Sequence, residues 1–177
     1  MKQQLTKIFL YKNKVVLKTK YKDDILDNAP TSSRYPSVIY YRLLAPKYLP
    51  NNLERILYLD PDIIVLKDLS ELYNTDFEDK YFVGASNVRN GLRKFNEIKN
   101  RAPKDSPYLN TGVLLLNLKE LRNVISSEKI YDYISKYKRC LCLPDQDILQ
   151  GLYGDRVKLV SNIKYNLSDL KHLHYFE

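Results

Sequence analysis

Two aspartates one residue apart, Asp60 and Asp62, stand between two apolar runs in the stretch Arg55-Ile56-Leu57-Tyr58-Leu59-Asp60-Pro61-Asp62-Ile63-Ile64-Val65. Carboxylates held that close repel unless a proton or a cation lies between them. Hard oxygen donors at this spacing suit Mg2+ or Mn2+, with phosphate oxygens filling the remaining coordination positions. Pro61 lacks an N–H and fixes its own φ, so it ends a preceding strand and stiffens the pair. Asp and Pro also favour turns, and a bare Asp-x-Asp reads most simply as a polar turn. Arg42 reads on its own as a surface arginine, although it can pair with Asp145 or offset phosphate charge. Asn110 offers an amide donor and acceptor, and Gly112 permits positive φ or close backbone approach. Asp145 is a good N-cap for a helix over 146–152. His172 and His174 are ligand types for Mn2+ or Zn2+, but they read as ordinary surface histidines.

These residues need elements to position them. The run before Asp60 is short, apolar and rich in β-formers, which suits a buried strand in a parallel sheet. Open α/β sheets bind ligands beyond the carboxyl ends of their strands, where the acidic pair then falls. Further strands are predicted over 81–86, 113–118 and 157–160. Helical spacing over 37–48 places Tyr40, Leu43, Leu44 and Tyr48 on one face, with Pro36 suited to the first turn. Short helices are predicted over 67–73 and 119–123. A longer one over 127–138 has Ile130, Tyr133, Ile134 and Tyr137 on one face. Gly151 and Gly154 mark the end of the helix that starts near Asp145. Residues 87–104 are polar and read as a long loop with at most a helical turn, a kind that is often functional. Residues 8–11 and 15–17 are predicted to pair as a hairpin around Lys12-Asn13-Lys14.

At 177 residues the chain fits one domain with a real core. Apolar residues make up 44% and charged residues 28%, ordinary values for a globular protein. No apolar run approaches the roughly 20 residues needed to span a bilayer, and the N-terminus lacks the apolar core of a signal peptide. Cys140 and Cys142 are the only cysteines, so a disulfide framework is not expected. That pattern favours the cytoplasm, with the inner face of the membrane as a second location. The net charge of +8 fits nucleic acid, anionic lipid or a nucleotide's phosphates. No zinc-finger spacing or RNP-like aromatic motif accompanies it, so nucleic acid is not an expected partner.

Four ordered blocks resemble the family 8 glycosyltransferases, retaining enzymes that use nucleotide sugars. They are Arg34-Tyr35-Pro36 with Tyr41-Arg42-Leu43-Leu44-Ala45-Pro46, then Tyr58-Leu59-Asp60-Pro61-Asp62-Ile63-Ile64-Val65. Tyr108-Leu109-Asn110-Thr111-Gly112 and Leu143-Pro144-Asp145-Gln146-Asp147-Ile148-Leu149 complete the set. The resemblance implies an α/β, Rossmann-like nucleotide-diphospho-sugar transferase fold of GT-A type. Its sheet is expected to be mixed and mostly parallel, flanked by helices. It implies that Asp60 and Asp62 bind Mn2+ (or Mg2+), and that Arg42, Asp60, Asn110, Gly112 and Asp145 contact the donor. It gives Gln146 and Asp145 the catalytic positions, Gln146 beside the anomeric carbon and Asp145 on the sugar, and leaves Asp147 to the helix dipole or structure. The implied reaction moves glucose or galactose from a UDP-sugar to a saccharide or glycolipid acceptor with retention of configuration.

The resemblance covers roughly residues 25–170, so the expected domain is 25–177, preceded by a basic segment over 1–24. Family members usually carry a first strand that cradles the nucleotide and end with a His-x-x-Gly-x-x-Lys-Pro-Trp segment, whose His is the third metal ligand. Neither block is recognised here, and the chain has no Trp. The expected protein is therefore an incomplete family member. The alternative is a remnant that binds sugar nucleotide or carbohydrate without turnover.

Overall fold

The computed structural model describes residues 7–11, 14–18, 40 and 42–167. Three apolar runs form the middle of its sheet: β3 (Arg55–Leu59), β4 (Phe82–Gly84) and β5 (Val113–Asn117). With β1 (Lys7–Tyr11), β2 (Lys14–Lys18) and β6 (Val157–Leu159) they make a six-stranded sheet in the order β2-β1-β3-β5-β4-β6. β1 and β2 pair antiparallel, as the hairpin reading expects, and β1 joins the edge of β3 through Phe9↔Tyr58 and Leu10↔Leu57.

The sheet is mixed, as expected, but among the described strands it is not mostly parallel. β1–β2, β1–β3, β3–β5 and β4–β5 are antiparallel, and only β4–β6 is parallel. A continuous apolar run records that both faces of a strand are covered, and it carries no information about direction. Both faces are covered here. Ile56, Tyr58, Phe82, Leu114 and Leu116 enter one core, whereas Leu57, Val83, Val113 and Leu115 enter another with Leu72 and Phe77. The two sets alternate along each strand, as the pleat requires.

The larger core is roofed by α1 (Ala45–Tyr48), α4 (Leu118–Val124), α5 (Ser127–Tyr137) and α6 (Pro144–Tyr153). α5 buries Ile130, Tyr133 and Ile134, and Ser126 caps it by accepting from the Lys129 N–H at 3.0 Å. The helix expected over 37–48 is, in its described part, a turn at Leu43–Leu44 followed by the four-residue α1. On the other face lie α2 (Ser70–Tyr73) and α7 (Asn162–Tyr165), with Tyr165 packed against the smaller core.

A further expectation is corrected. Residues 87–104 are not a loop, because α3 (Asn90–Lys99) occupies ten of them. Its apolar residues face outward and its inward contacts are polar, so the usual amphipathic signal is inverted. The helix after Asp145 runs through Gly151 to Tyr153 and ends at Gly154. The second apolar run of the Asp-x-Asp stretch forms no strand. Ile64 and Leu66 are 82% and 87% exposed. No helix among the described residues is long and apolar enough to cross a membrane.

Candidate active site

β3 ends at Leu59, and Asp60 leaves the sheet with its N–H donating to the Gly112 carbonyl at 2.8 Å. That bond ties the acidic turn to the turn that precedes β5. Two residues back on β3, Tyr58 points to the same face and donates its hydroxyl to Asp60 Oδ1 at 2.5 Å. Burial raises the Tyr58 phenol well above its ordinary value; the bond to Asp60 adds to this while Arg42 opposes it. Tyr58 therefore stays a hydrogen-bond donor.

Arg42 is the hub. Its guanidinium lies 3.1 Å from Asp60 Oδ1 and 3.2 Å from Asp145 Oδ2. It also donates to the Thr111 carbonyl and hydroxyl, both at 3.2 Å, and its Cζ stacks 4.8 Å from the centre of the Tyr58 ring. Burial works against its charge, but Asp145, followed by Tyr58 and Asp60, outweighs burial and raises its pKa. A planar fork suits this pairing of two carboxylates better than an ammonium would. Thr111 closes the ring by donating its hydroxyl to Asp145 Oδ2 at 2.6 Å.

Asn110 and Gly112 shape the floor. Asn110 Oδ1 accepts from the Gly112 N–H at 2.9 Å, which leaves the Asn110 amide nitrogen for a ligand. Gly112 is not needed for positive φ, since no glycine adopts it among the described residues. Close approach is the reason. A Cβ at Gly112 would lie 3.2 Å from Asn110 Oδ1 and 3.3 Å from Asp60 Oδ2.

The other wall is the start of α6. Asp145 is not its N-cap: Leu143 holds that position and Pro144 opens the first turn. The capping work falls to Asp147, whose Oδ2 accepts from the Cys142 N–H at 2.6 Å and the Leu143 N–H at 3.1 Å. Its Oδ1 takes Lys99 Nζ, Asn100 Nδ2 and the Tyr108 hydroxyl, each at 2.9 Å. Asp147 is a buried structural hub, and Asp145 is thereby released to face Arg42. Gln146 sits half-buried between them.

Arg42, Asp60, Asn110, Gly112 and Asp145 thus converge, and Asp62 and Gln146 border them in sequence. Tyr58 and Thr111 join the network although their sequence suggested no role. Each sat inside a quoted block, and the strand periodicity placing Tyr58 beside Asp60 was the available signal. Asp62 is exposed. Among the described residues no three His, Cys, Asp or Glu side chains gather into a metal site. Asp60 and Asp62 offer hard oxygens of the type a divalent cation takes, and both oxygens of Asp60 already face Arg42, with Oδ1 also accepting from Tyr58. His172 and His174 lie outside the described residues.

The model for glycosyl transferase family 8 matches residues 2–172. The lipopolysaccharide 1,2-glucosyltransferase of Escherichia coli is 35% identical over 144 residues, covering 77% of this chain and 41% of that protein. The lipopolysaccharide glucosyltransferase WaaO of Escherichia coli K12 is 28% identical over 149 residues, covering 81% and 43%. The galactosyltransferase LgtC, in a crystal structure with donor and acceptor sugar analogs, superposes with a TM-score of 0.70 at 27% identity. That likeness covers 78% of this chain and 50% of that one. The chain thus spans half or less of the length of these proteins. A strand that ends at Asp60, an arginine bridging that acid to a helix start, and a match across nearly the whole sequence lead to one assignment: the chain belongs to glycosyl transferase family 8.

Proposed function

We propose that this chain transfers a hexose, glucose or galactose, from a UDP-sugar to a saccharide or glycolipid acceptor with retention of configuration. The observation that carries this reading is Arg42, which holds the carboxylates of Asp60 and Asp145 in one site. Asp60 and Asp62 would hold Mn2+ or Mg2+. Such a cation, when bound, neutralises the diphosphate as it leaves. Asp145 accepts from sugar hydroxyls through the carboxylate positions that Arg42 and Thr111 do not use, and the Asn110 amide nitrogen donates to another. Gly112 leaves room for the ring. Orientation of this kind can supply several kcal/mol, up to roughly 7–11 in the best cases.

Gln146 lies nearest the reacting carbon, but an amide is a poor nucleophile, which favours front-face attack. In that step the acceptor oxygen bonds to the anomeric carbon as its bond to the diphosphate breaks, and the acceptor proton passes to the departing phosphate oxygen. The free, exposed Cys140 and Cys142 support a cytoplasmic location for the reaction.

The test is calorimetric titration with UDP, in Mn2+ and again in EDTA. Binding should need the metal and should fall at least about tenfold in Asp60→Ala and in Asp62→Ala. UDP binding without sugar transfer would reduce the chain to a nucleotide-binding remnant. No binding in either buffer would overturn the reading.

A further inference from the structure

α3 faces the wrong way for a helix that covers a core. Its buried residue is Asn96, and Asn100 just past its end is also buried. Its anchors are polar, with Lys99 Nζ and Asn100 Nδ2 both on Asp147. Leu92, Phe95 and Ile98, each three residues from the next on one stripe, are 51%, 61% and 69% exposed. Scattered exposed apolar side chains are ordinary. An outward Leu-Phe-Ile stripe beside polar anchors, on a helix that buries no apolar side chain of its own, instead has the form of a helix that meets a second apolar phase.

The rim of the stripe is basic. Arg89, Lys94, Arg101 and Lys104 are exposed around it. The acids nearby are countered: Glu97 lies 3.5 Å from Arg93, which also reaches Asp105 at 3.9 Å. A second copy of this chain would bring the same cationic rim on a molecule of net charge +8, so self-pairing is opposed. An anionic bilayer complements both features, with acyl chains for the stripe and headgroup phosphates for the rim. We propose that α3 is an interfacial helix that seats this chain on an anionic lipid surface. This docking stands independently of sugar transfer.

The experiment is co-sedimentation of the full chain with phosphatidylcholine vesicles, with and without phosphatidylglycerol. Binding should need phosphatidylglycerol and weaken as salt rises. Both Phe95→Ser/Ile98→Ser and Lys94→Glu/Lys104→Glu should reduce it by about tenfold or more. Ile64→Ser/Leu66→Ser, which removes exposed apolar groups elsewhere, should leave it unchanged. Equal loss in that control, or no loss in the α3 variants, would overturn the assignment. So would absence of binding, or a dimer in solution that Phe95→Ser/Ile98→Ser dissolves, since a second copy would then be the occupant.

Discussion

A carboxylate's role here depends on what fills its lone pairs. Asp145 and Asp147 lie on the same first turn of α6, yet Asp145 faces the site while Asp147 is saturated by five donors. The division was partly legible. The resemblance assigned Asp147 to structure and Asp145 to the sugar, but the capping role was given to the wrong aspartate. Spacing alone does not distinguish an N-cap from an acid in the first turn that reaches back to the same N–H groups. Asp147→Ala should strand Lys99 and four further side-chain or backbone donors in a buried setting. The expected loss is about 3–5 kcal/mol in urea unfolding, because a partnerless buried charge is left behind. Thr111 was not legible as a site residue, since its partner Asp145 lies 34 residues away, whereas the i,i+2 spacing of Tyr58 and Asp60 on one strand face was there to be read.

Elements were legible where their pattern faced the core. β3, β5, β6 and α5 fall where apolar runs or helical spacing put them, and Ile130, Tyr133 and Ile134 are buried as expected. α3 was missed because its apolar spacing points outward, and a polar sequence with Gly91 read as loop. α6 was read nearly whole, with Gly154 at its end, but Gly151 takes no part in ending it. It serves packing instead: a Cβ there would collide with the Tyr133 ring and hydroxyl of α5. Tyr133 has little freedom to withdraw, since its hydroxyl donates to the Asn100 carbonyl at 2.7 Å. Gly151→Ala should therefore destabilise the chain by about 1–3 kcal/mol, read as a lower urea midpoint with an unchanged slope. A gain in stability would show that α5 and α6 separate easily.

At the scale of the molecule, the three-layer α/β plan was legible, and strand direction was not, because pairing depends on partners distant in sequence. The whole molecule also has an alkaline liability. Burial is the first cause that raises the phenols of Tyr58, Tyr108 and Tyr133, and it pushes Tyr153 up to about 12. Tyrosines of the unfolded chain ionise near pH ~10. The folded state therefore binds more protons than the unfolded state above that pH, and stability present below it is lost as pH rises toward the folded values. The urea midpoint should hold up to about pH 9 and fall steeply between about pH 10 and 12. Phenolate absorbance should rise in two phases, exposed tyrosines first and the buried ones only with unfolding. A single phase with no loss of midpoint would contradict this.

The order β3-β5-β4-β6 also has a kinetic side. Among the described strands β4 pairs only with ones that follow it in sequence, and β5 is the one that joins it to β3. During synthesis Phe82 and Val83 must therefore wait, apolar and unpaired, until α3 and then β5 have left the ribosome. Such non-local closure slows folding and prolongs exposure of the strands that wait. The strand that makes the centre of this sheet continuous is thus one that two earlier strands must await.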